Sequence, residues 1–360
     1  MIPQVIARDP QFRRGRYTLA ETLDGPKIER RIPFPDIGPF VSNKLLTDFI
    51  AAIPNHPLND VLLSRLRSVL SDLSQESGKR LLDINELTFD SDLRSPWDEN
   101  NRVYAYLYRR GDAKAIGPGI VVPGFIKGTP LTRALTLLLA DIGWTVLEVA
   151  VPFFDKRQSA TTKARSTLSE RWAALRLTPE DFAGYVEQAV SDVRRPSIWF
   201  SRQLCVDPER VAISGFSFGA SVALTAFATT PELTHAVSIC PPVDWAHAIW
   251  TAEDQQAYRR FLQSVLVTQQ EFAESVSPVQ LDQLTALGNR AAKSRVLYVN
   301  GDPYTPSAAM KWLAARLGSI ESFEPQGVGQ ANPNLDGLQP YFAAVFDRTV
   351  ELVIGSKPAH

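Results

Sequence analysis

The pentapeptide Gly215-Phe216-Ser217-Phe218-Gly219 is the feature that most limits how this chain can fold. It follows the mostly apolar, strand-like segment 211–214 and precedes an apolar helical segment over 220–228. Where a strand turns directly into a helix, glycines on both sides of the tip remove side chains that would collide with the strand and the helix. The pattern therefore predicts a sharp turn with an exposed Ser217 at its tip. The alternative is that Ser217 only caps the helix.

Strand-like and helical segments alternate on both sides of this turn. Strands are predicted over 119–122, 144–149, 211–214, 236–239, 295–299 and, as a short segment, 320–323. Helices are predicted over 131–142, 179–194, 196–203, 220–228, 307–317 and 338–354. Alternation of this kind is typical of a parallel sheet with helices on both faces. The sequence thus predicts an α/β chain with a doubly wound, mostly parallel sheet.

Two further regions do not follow this alternation. Residues 1–85 carry helical periodicity over 43–53 and 58–73, which predicts an N-terminal helical extension. The main domain then covers 86–355 and begins with an antiparallel strand pair at the sheet edge, predicted over 87–89 and 103–108.

The segment 245–290, mostly helical, is too long for an ordinary connection and is interpreted as a cap insertion. Its aromatic side chains suit a cover over an apolar pocket, but they equally suit packing of the insertion onto the main domain. These aromatic residues are Trp245, Trp250, Tyr258, Phe261 and Phe272.

Composition narrows the class of ligand. Lys and Arg together number 38 and Asp and Glu 39, so the formal net charge of −1 provides no basic surface for nucleic acid or an anionic membrane. No segment reaches the ~18 apolar residues of a membrane span. We therefore expect a cytoplasmic protein acting on a small molecule, with a homodimer contact through residues 1–85 as one possibility.

Cysteine usage and local charge add little to this. Cys205 and Cys240 are too few for a disulfide framework and have no metal-binding or redox spacing, so no metal or cofactor is assigned. Cys240 is interpreted as a buried small side chain. Lys156 and Arg157, after the strand 144–149, are interpreted as solvated, with binding of a substrate carboxylate as the alternative.

With the approach Val206-Asp207-Pro208-Glu209-Arg210 before the strand and turn, the sequence resembles the α/β-hydrolase superfamily. The resemblance covers roughly 86–355 and is strongest to esterase-like members related to dienelactone hydrolases and prolyl-oligopeptidase-type peptidases. It implies that Ser217 is the nucleophile and that the backbone N–H groups of Phe218 and Phe125 form an oxyanion hole. Many relatives have His-Gly where this chain has Pro123-Gly124, a change that leaves the backbone donor in place.

The resemblance also implies where the other two members of a catalytic triad should stand. The acid falls at Asp302, directly after the strand 295–299, although an ordinary Asp-Pro turn would explain the same residue. Asp244, after the preceding strand, is the alternative acid.

The histidine is expected at Gln330, in the loop Gly327-Val328-Gly329-Gln330. A glutamine amide can donate and accept hydrogen bonds but cannot take a proton from serine. His247 follows its strand at the carboxyl end, where open α/β sheets bind ligands, and is the plausible substitute base.

Two hypotheses about function follow. The first is a hydrolase that acts on an ester, thioester or other activated carbonyl through Ser217, with His247 or a group on the substrate as the base. The second is a lyase, a cyclase or a ligand-binding pseudoenzyme on the same fold, because replacement of one triad member typically costs several orders of magnitude in rate.

Overall fold

The structure is a computed structural model that describes residues 16, 18–19, 27–31, 57–74, 82–111, 116–124, 130–280, 285–302, 304–317, 319–323 and 342–354. Within these residues the strands are β1 Thr18–Leu19, β2 Lys27–Arg31, β3 Leu82–Asp90, β4 Leu93–Arg94, β5 Arg102–Arg110, β6 Gly117–Gly124, β7 Thr145–Ala150, β8 Val206–Phe216, β9 His235–Ile239, β10 Ser294–Val299 and β11 Ile320–Phe323.

The helices of the described residues alternate with these strands. They are α1 Pro57–Ser74, α2 Pro130–Asp141, α3 Ala160–Lys163, α4 Leu168–Ala174, α5 Pro179–Ser201, α6 Phe218–Thr229, α7 Trp245–Thr251, α8 Gln256–Ser264, α9 Gln269–Val276, α10 Ser307–Ala314 and α11 Phe342–Ile354. None of them is long and apolar enough to cross a membrane.

Nine of the eleven described strands form one large mixed sheet in the order β11-β10-β9-β8-β6-β7-β5-β3-β2. The six strands from β11 to β7 run parallel, whereas β5, β3 and β2 pair antiparallel. The predicted doubly wound, mostly parallel sheet is therefore confirmed. Because β6, β8, β9 and β10 point the same way, the segments that follow them all lie along one edge of the sheet.

Side chains alternate between the two faces of the sheet and build a core on each. Leu147 and Val149 of β7 belong to one cluster, and Val146 and Ala150 belong to the other. The first cluster packs under α5 and α6, and the second packs under α1, α2 and α11. The central strands are buried on both faces, which explains why they are almost continuously apolar.

Of the residues before 86, the structure describes a helix, α1, where the sequence predicts one over 58–73, and it adds two short strands, β1 and β2. Strand β2 pairs with β3, with Lys27 opposite Thr88, and so covers the antiparallel pair that was predicted at the sheet edge. Strand β1 pairs separately with β4. The sequence analysis did not predict these short strands, and the predicted helix over 43–53 lies outside the described residues.

Two predicted helices are one in the structure. Helix α5 runs through Pro196, where the sequence indicated a break between 194 and 196. Thr178 caps its start in a capping box with Asp181, and Pro179 occupies the first turn. Burial of one long face against the sheet outweighs the hydrogen bond that an internal proline removes.

Candidate active site

The turn at the end of β8 holds Ser217 in a strained backbone conformation. Its φ is 51° and its ψ is −121°, a region that residues with a Cβ rarely adopt. The Ser217 N–H donates to the carbonyl of Ile239 at 2.8 Å, which ties the turn to the end of β9. The side chain is only half buried. The conformation thus presents the hydroxyl beyond the carboxyl edge of the sheet.

Both flanking glycines are required by backbone contacts. A Cβ on Gly215 would lie 2.1 Å from the Gly219 carbonyl oxygen, and a Cβ on Gly219 would lie 2.5 Å from the Pro123 carbonyl oxygen. Neither backbone oxygen can rotate away as a flexible side chain would. The glycine spacing seen in the sequence therefore follows from the close approach of β6, β8 and α6.

We expect Gly219→Ala to lower the free energy of unfolding by about 1–3 kcal/mol, because the new methyl group forces α6 away from β6. Gly117→Ala is the matched control in the same sheet, since its methyl group would meet one carbonyl oxygen at 3.2 Å. Urea unfolding of both variants provides the measurement. Equal losses in the two variants would contradict this explanation of the glycine.

A cavity of about 280 Å³ opens beside this turn. Phe216, Ser217 and Phe218 line it from the turn, Cys240 from the end of β9, and Asp302 from the segment after β10. Ser217 and Asp302 stand 85 positions apart in the sequence, and both were predicted as site residues. The structure brings them to one cavity.

Asp302 lines this cavity as a buried, hydrogen-bonded carboxyl. It is 5 % exposed, and its Oδ1 accepts the backbone N–H of Tyr304 at 2.9 Å. Burial raises the pKa of the Asp302 carboxyl to about 6, and the hydrogen bond from Tyr304 offsets part of that rise. At pH 7 the cavity therefore contains a carboxylate that is ionised but sparingly solvated.

The sequence analysis missed Cys240 as a member of this site. It is 4 % exposed, has a φ of 50°, and its thiol lies beside the Asp302 carboxyl. Burial, together with the charge of Asp302, raises the pKa of the thiol well above its usual range. The thiol is therefore neutral and acts as a packing and hydrogen-bonding neighbour of Asp302. No local pattern signalled this contact.

Comparisons with known proteins agree with this geometry. The chain superimposes with a TM-score of 0.53 on an acetyl xylan esterase from Paenibacillus sp. R4, at 16 % identity, covering 83 % of this chain and 98 % of that one. On acetyl xylan esterase 1 from Thermoanaerobacterium sp. JW/SL YS485 it superimposes with a TM-score of 0.53, at 15 % identity, covering 84 % of this chain and 98 % of that one. The chain has the α/β-hydrolase fold. No model of a known protein family matches the sequence, and no curated protein does.

In this α/β-hydrolase fold one predicted oxyanion donor can be placed. Phe218 is the first residue of α6, so its N–H has no acceptor within the helix. Its ring is 2 % exposed and stacks on Tyr185, with the ring centroids 4.9 Å apart. This packing fixes the backbone next to Ser217. The second predicted donor, Phe125, lies outside the described residues.

The structure does not bring the substitute base to the cavity. His247 lies in the first turn of α7, where its N–H donates to Asp244 Oδ1 at 2.9 Å, and it is not among the cavity-lining residues. Asp244, the alternative acid, is the N-cap of that helix and does not line the cavity either. Gln330 lies outside the described residues.

The cap insertion both covers the cavity and packs on the main domain. Of its five aromatic residues only Trp245 lines the cavity, together with Asp254 and Gln255 from the same insertion. Tyr258 and Phe272 are fully buried in the core instead, and the Tyr258 hydroxyl donates to the Leu177 carbonyl at 3.0 Å. Of these aromatic residues, Trp245 thus lies at the cavity, whereas Tyr258 and Phe272 pack onto the main domain.

Proposed function

We propose that this chain is a serine hydrolase that cleaves an ester, a thioester or a related activated carbonyl of a small molecule. The observation that carries the proposal is the strained Ser217 turn, which shares one cavity with the buried carboxylate of Asp302. Two solved structures with the same fold are acetyl xylan esterases by name, which supports ester cleavage as the reaction class.

In the proposed mechanism, Ser217 Oγ attacks the substrate carbonyl, and the oxygen of the tetrahedral intermediate gains negative charge. The backbone N–H groups of Phe218 and Phe125 stabilise that charge, because oriented donors require no reorganisation as the charge forms. Collapse of the intermediate expels the alcohol and leaves an acyl-serine that water hydrolyses. Since His247 does not line the cavity, a group on the substrate takes the serine proton and passes it to the oxygen of the leaving alcohol, and Gln330 holds the geometry of the missing histidine through its amide.

Two measurements test this function. Wild-type protein is expected to be labelled by a fluorophosphonate probe at Ser217, and to show a burst of 4-nitrophenol from 4-nitrophenyl acetate as the acyl-serine forms. Peptide mapping of the labelled protein identifies the modified residue. Absence of labelling, or labelling at another residue, would reject Ser217 as the nucleophile.

The pH dependence of this reaction is expected to follow Asp302. The pKa of the Asp302 carboxyl is about 6, so kcat/KM should fall as the pH drops below about 6. The protonated carboxyl no longer supplies the negative charge that the acid of the proposed triad provides. Rates between pH 4.5 and 8 measure this limb, and Asp302→Asn should remove it along with most of the activity. A flat profile from pH 5 to 7 would argue against the role of Asp302.

The same residue should oppose folding at neutral pH. Because the pKa of the Asp302 carboxyl is higher in the folded chain than its ordinary value of 3.8, the contribution of Asp302 to stability decreases as the pH rises from about 4 to about 6. Asp302→Asn, which can still accept the Tyr304 N–H, is expected to unfold at higher urea concentration than wild type at pH 7. A less active and also less stable variant would indicate a structural role instead.

A second candidate function is a lyase, a cyclase or a ligand-binding pseudoenzyme. What favours it is that no described residue lining the cavity is a histidine, while the sequence has Gln330 at the position of the family's histidine. Gln330→His distinguishes the two. If Gln330→His hydrolyses esters much faster than wild type, the natural protein lacks a working base, which supports the second candidate. If wild type already hydrolyses esters rapidly and Gln330→His leaves that rate unchanged, the second candidate is ruled out.

A further inference from the structure

The cap side of the cavity carries a chain of three hydrogen-bonded side chains. Gln255 Nε2 donates to the Tyr304 hydroxyl at 2.8 Å, and the Tyr304 hydroxyl donates to Asp254 Oδ1. All three residues line the cavity that contains Ser217. The hydroxyl hydrogen of Tyr304 is therefore already used, and the group at the end of this series is a carboxylate.

Two hydrogen-bond acceptors of these three side chains have no donor among the described residues. Gln255 is 5 % exposed, and its Oε1 receives no hydrogen bond from the described residues. Asp254 makes no ion pair with a described cation, and its second carboxylate oxygen is open at the exposed rim. A buried acceptor that is left unpaired costs about 1–3 kcal/mol, so a ligand that donates to it gains correspondingly.

The rest of the wall also favours a positively charged ligand. The charged residues among the described lining positions are Asp254 and Asp302, both acidic. The indole side chains of Trp172 and Trp245 complete the wall, 2 % and 3 % exposed. Aromatic faces attract cations through the negative potential above the ring. The charged groups of the wall therefore attract an ammonium group and repel an anionic one, although the wall also contains uncharged N–H donors, among them the indole N–H groups of Trp172 and Trp245.

We propose that this cavity selects substrates that carry a protonated amine, which binds at the Asp254 carboxylate, next to the unpaired Gln255 side chain, while the scissile carbonyl reaches Ser217. This inference rests on the proposed function, since it names the substrate class of the same site. Tyr304 links the two ends of the site: its hydroxyl orients Asp254, and its N–H orients Asp302. Tyr304 is thus a positioning residue for both carboxylates.

A matched pair of esters tests the proposal. 2-(Dimethylamino)ethyl acetate is a cation at pH 7, and 3-methylbutyl acetate is its neutral isostere. The readout is the ratio of kcat/KM for the cationic ester to kcat/KM for the neutral ester. Asp254→Asn is expected to lower this ratio about tenfold, and most of the change should appear in KM. Glu253→Gln, which removes an exposed charge one residue away and off the cavity, should leave the ratio and the activity unchanged.

Two results would overturn the proposal. One is a ratio in Asp254→Asn within twofold of wild type, and the other is an equal fall in both variants, which would indicate a long-range field rather than a binding site. If wild-type protein hydrolyses neither ester, the proposed function fails on its own. Saturation-transfer NMR with 2-(dimethylamino)ethanol and 3-methylbutan-1-ol then decides recognition: selective binding of the amine, lost in Asp254→Asn, supports it, and equal binding of the two rejects it.

Discussion

Ser217→Ala is expected to lower kcat/KM for ester hydrolysis by ~10³-fold or more, because the variant lacks the nucleophile and retains only the oxyanion donors and substrate binding. The fold should be unaffected, since the hydroxyl is half buried and the hydrogen bond from the backbone N–H to Ile239 remains. Steady-state rates with 4-nitrophenyl acetate and circular dichroism of the purified variant provide the measurements.

Ser217→Gly is the matched control that separates chemistry from strain. It removes the same hydroxyl, but it also relieves the positive φ of 51°, and strain in such regions is on the order of 1–3 kcal/mol. The glycine variant is therefore expected to be as inactive as the alanine variant and more resistant to urea. A residual rate close to wild type in either variant would remove Ser217 from the mechanism.

Asp192→Asn is expected to lower the free energy of unfolding by about 3–5 kcal/mol, because it leaves Arg157 as an uncompensated buried charge. The two side chains are 1 % and 0 % exposed, with Arg157 Nη2 2.6 Å from Asp192 Oδ2. Ser91 Oγ donates to the other carboxylate oxygen at 2.6 Å, and Arg157 Nη1 donates to the Ala150 carbonyl at 2.8 Å. Urea unfolding followed by tryptophan fluorescence measures the loss.

Asp207→Asn is the control for this prediction. Its partner Arg210 lies equally close, at 2.6 Å, but the side chains are 23 % and 40 % exposed, and exposed pairs contribute about 0–1 kcal/mol. The double variant Asp192→Leu, Arg157→Met should recover much of the stability, since an apolar pair needs no partner charge. If Asp192→Asn lowers the free energy of unfolding no more than Asp207→Asn does, the buried ion pair contributes no more to stability than the exposed one.

The Arg157 pair also shows where reasoning from the sequence went wrong. Arg157 stands in a polar loop after β7 and was interpreted as solvated or available to a substrate. The structure buries it completely against a partner 35 residues further along the chain. The local composition does not distinguish a solvated arginine from a buried one. Arg157 is buried because α5 places the carboxylate of Asp192 against it.

In the candidate site, too, the local features were predicted from the sequence and most of the long-range contacts were not. Ser217 and its two glycines were predicted from spacing, because the turn is a local structure whose steric requirements lie within five residues. The neighbours of Ser217 in the cavity come from distant segments: Cys240 after β9, Asp302 and Tyr304 after β10, and Asp254 in the cap insertion. Of these four residues only Asp302 was predicted as a member of the site, and that prediction came from a family resemblance.

The sequence by itself determined the local elements of this protein: the order of most strands and helices, the sharp turn around Ser217, and the parallel character of the central strands. These depend on periodicity and turn chemistry over a few residues. Only the tertiary structure decided that β2 extends the sheet, that the thiol of Cys240 lies beside Asp302, and that Asp254 and Gln255 line the cavity of Ser217. Such contacts join residues far apart in the chain, and their partners are fixed by packing of the whole core rather than by any local pattern.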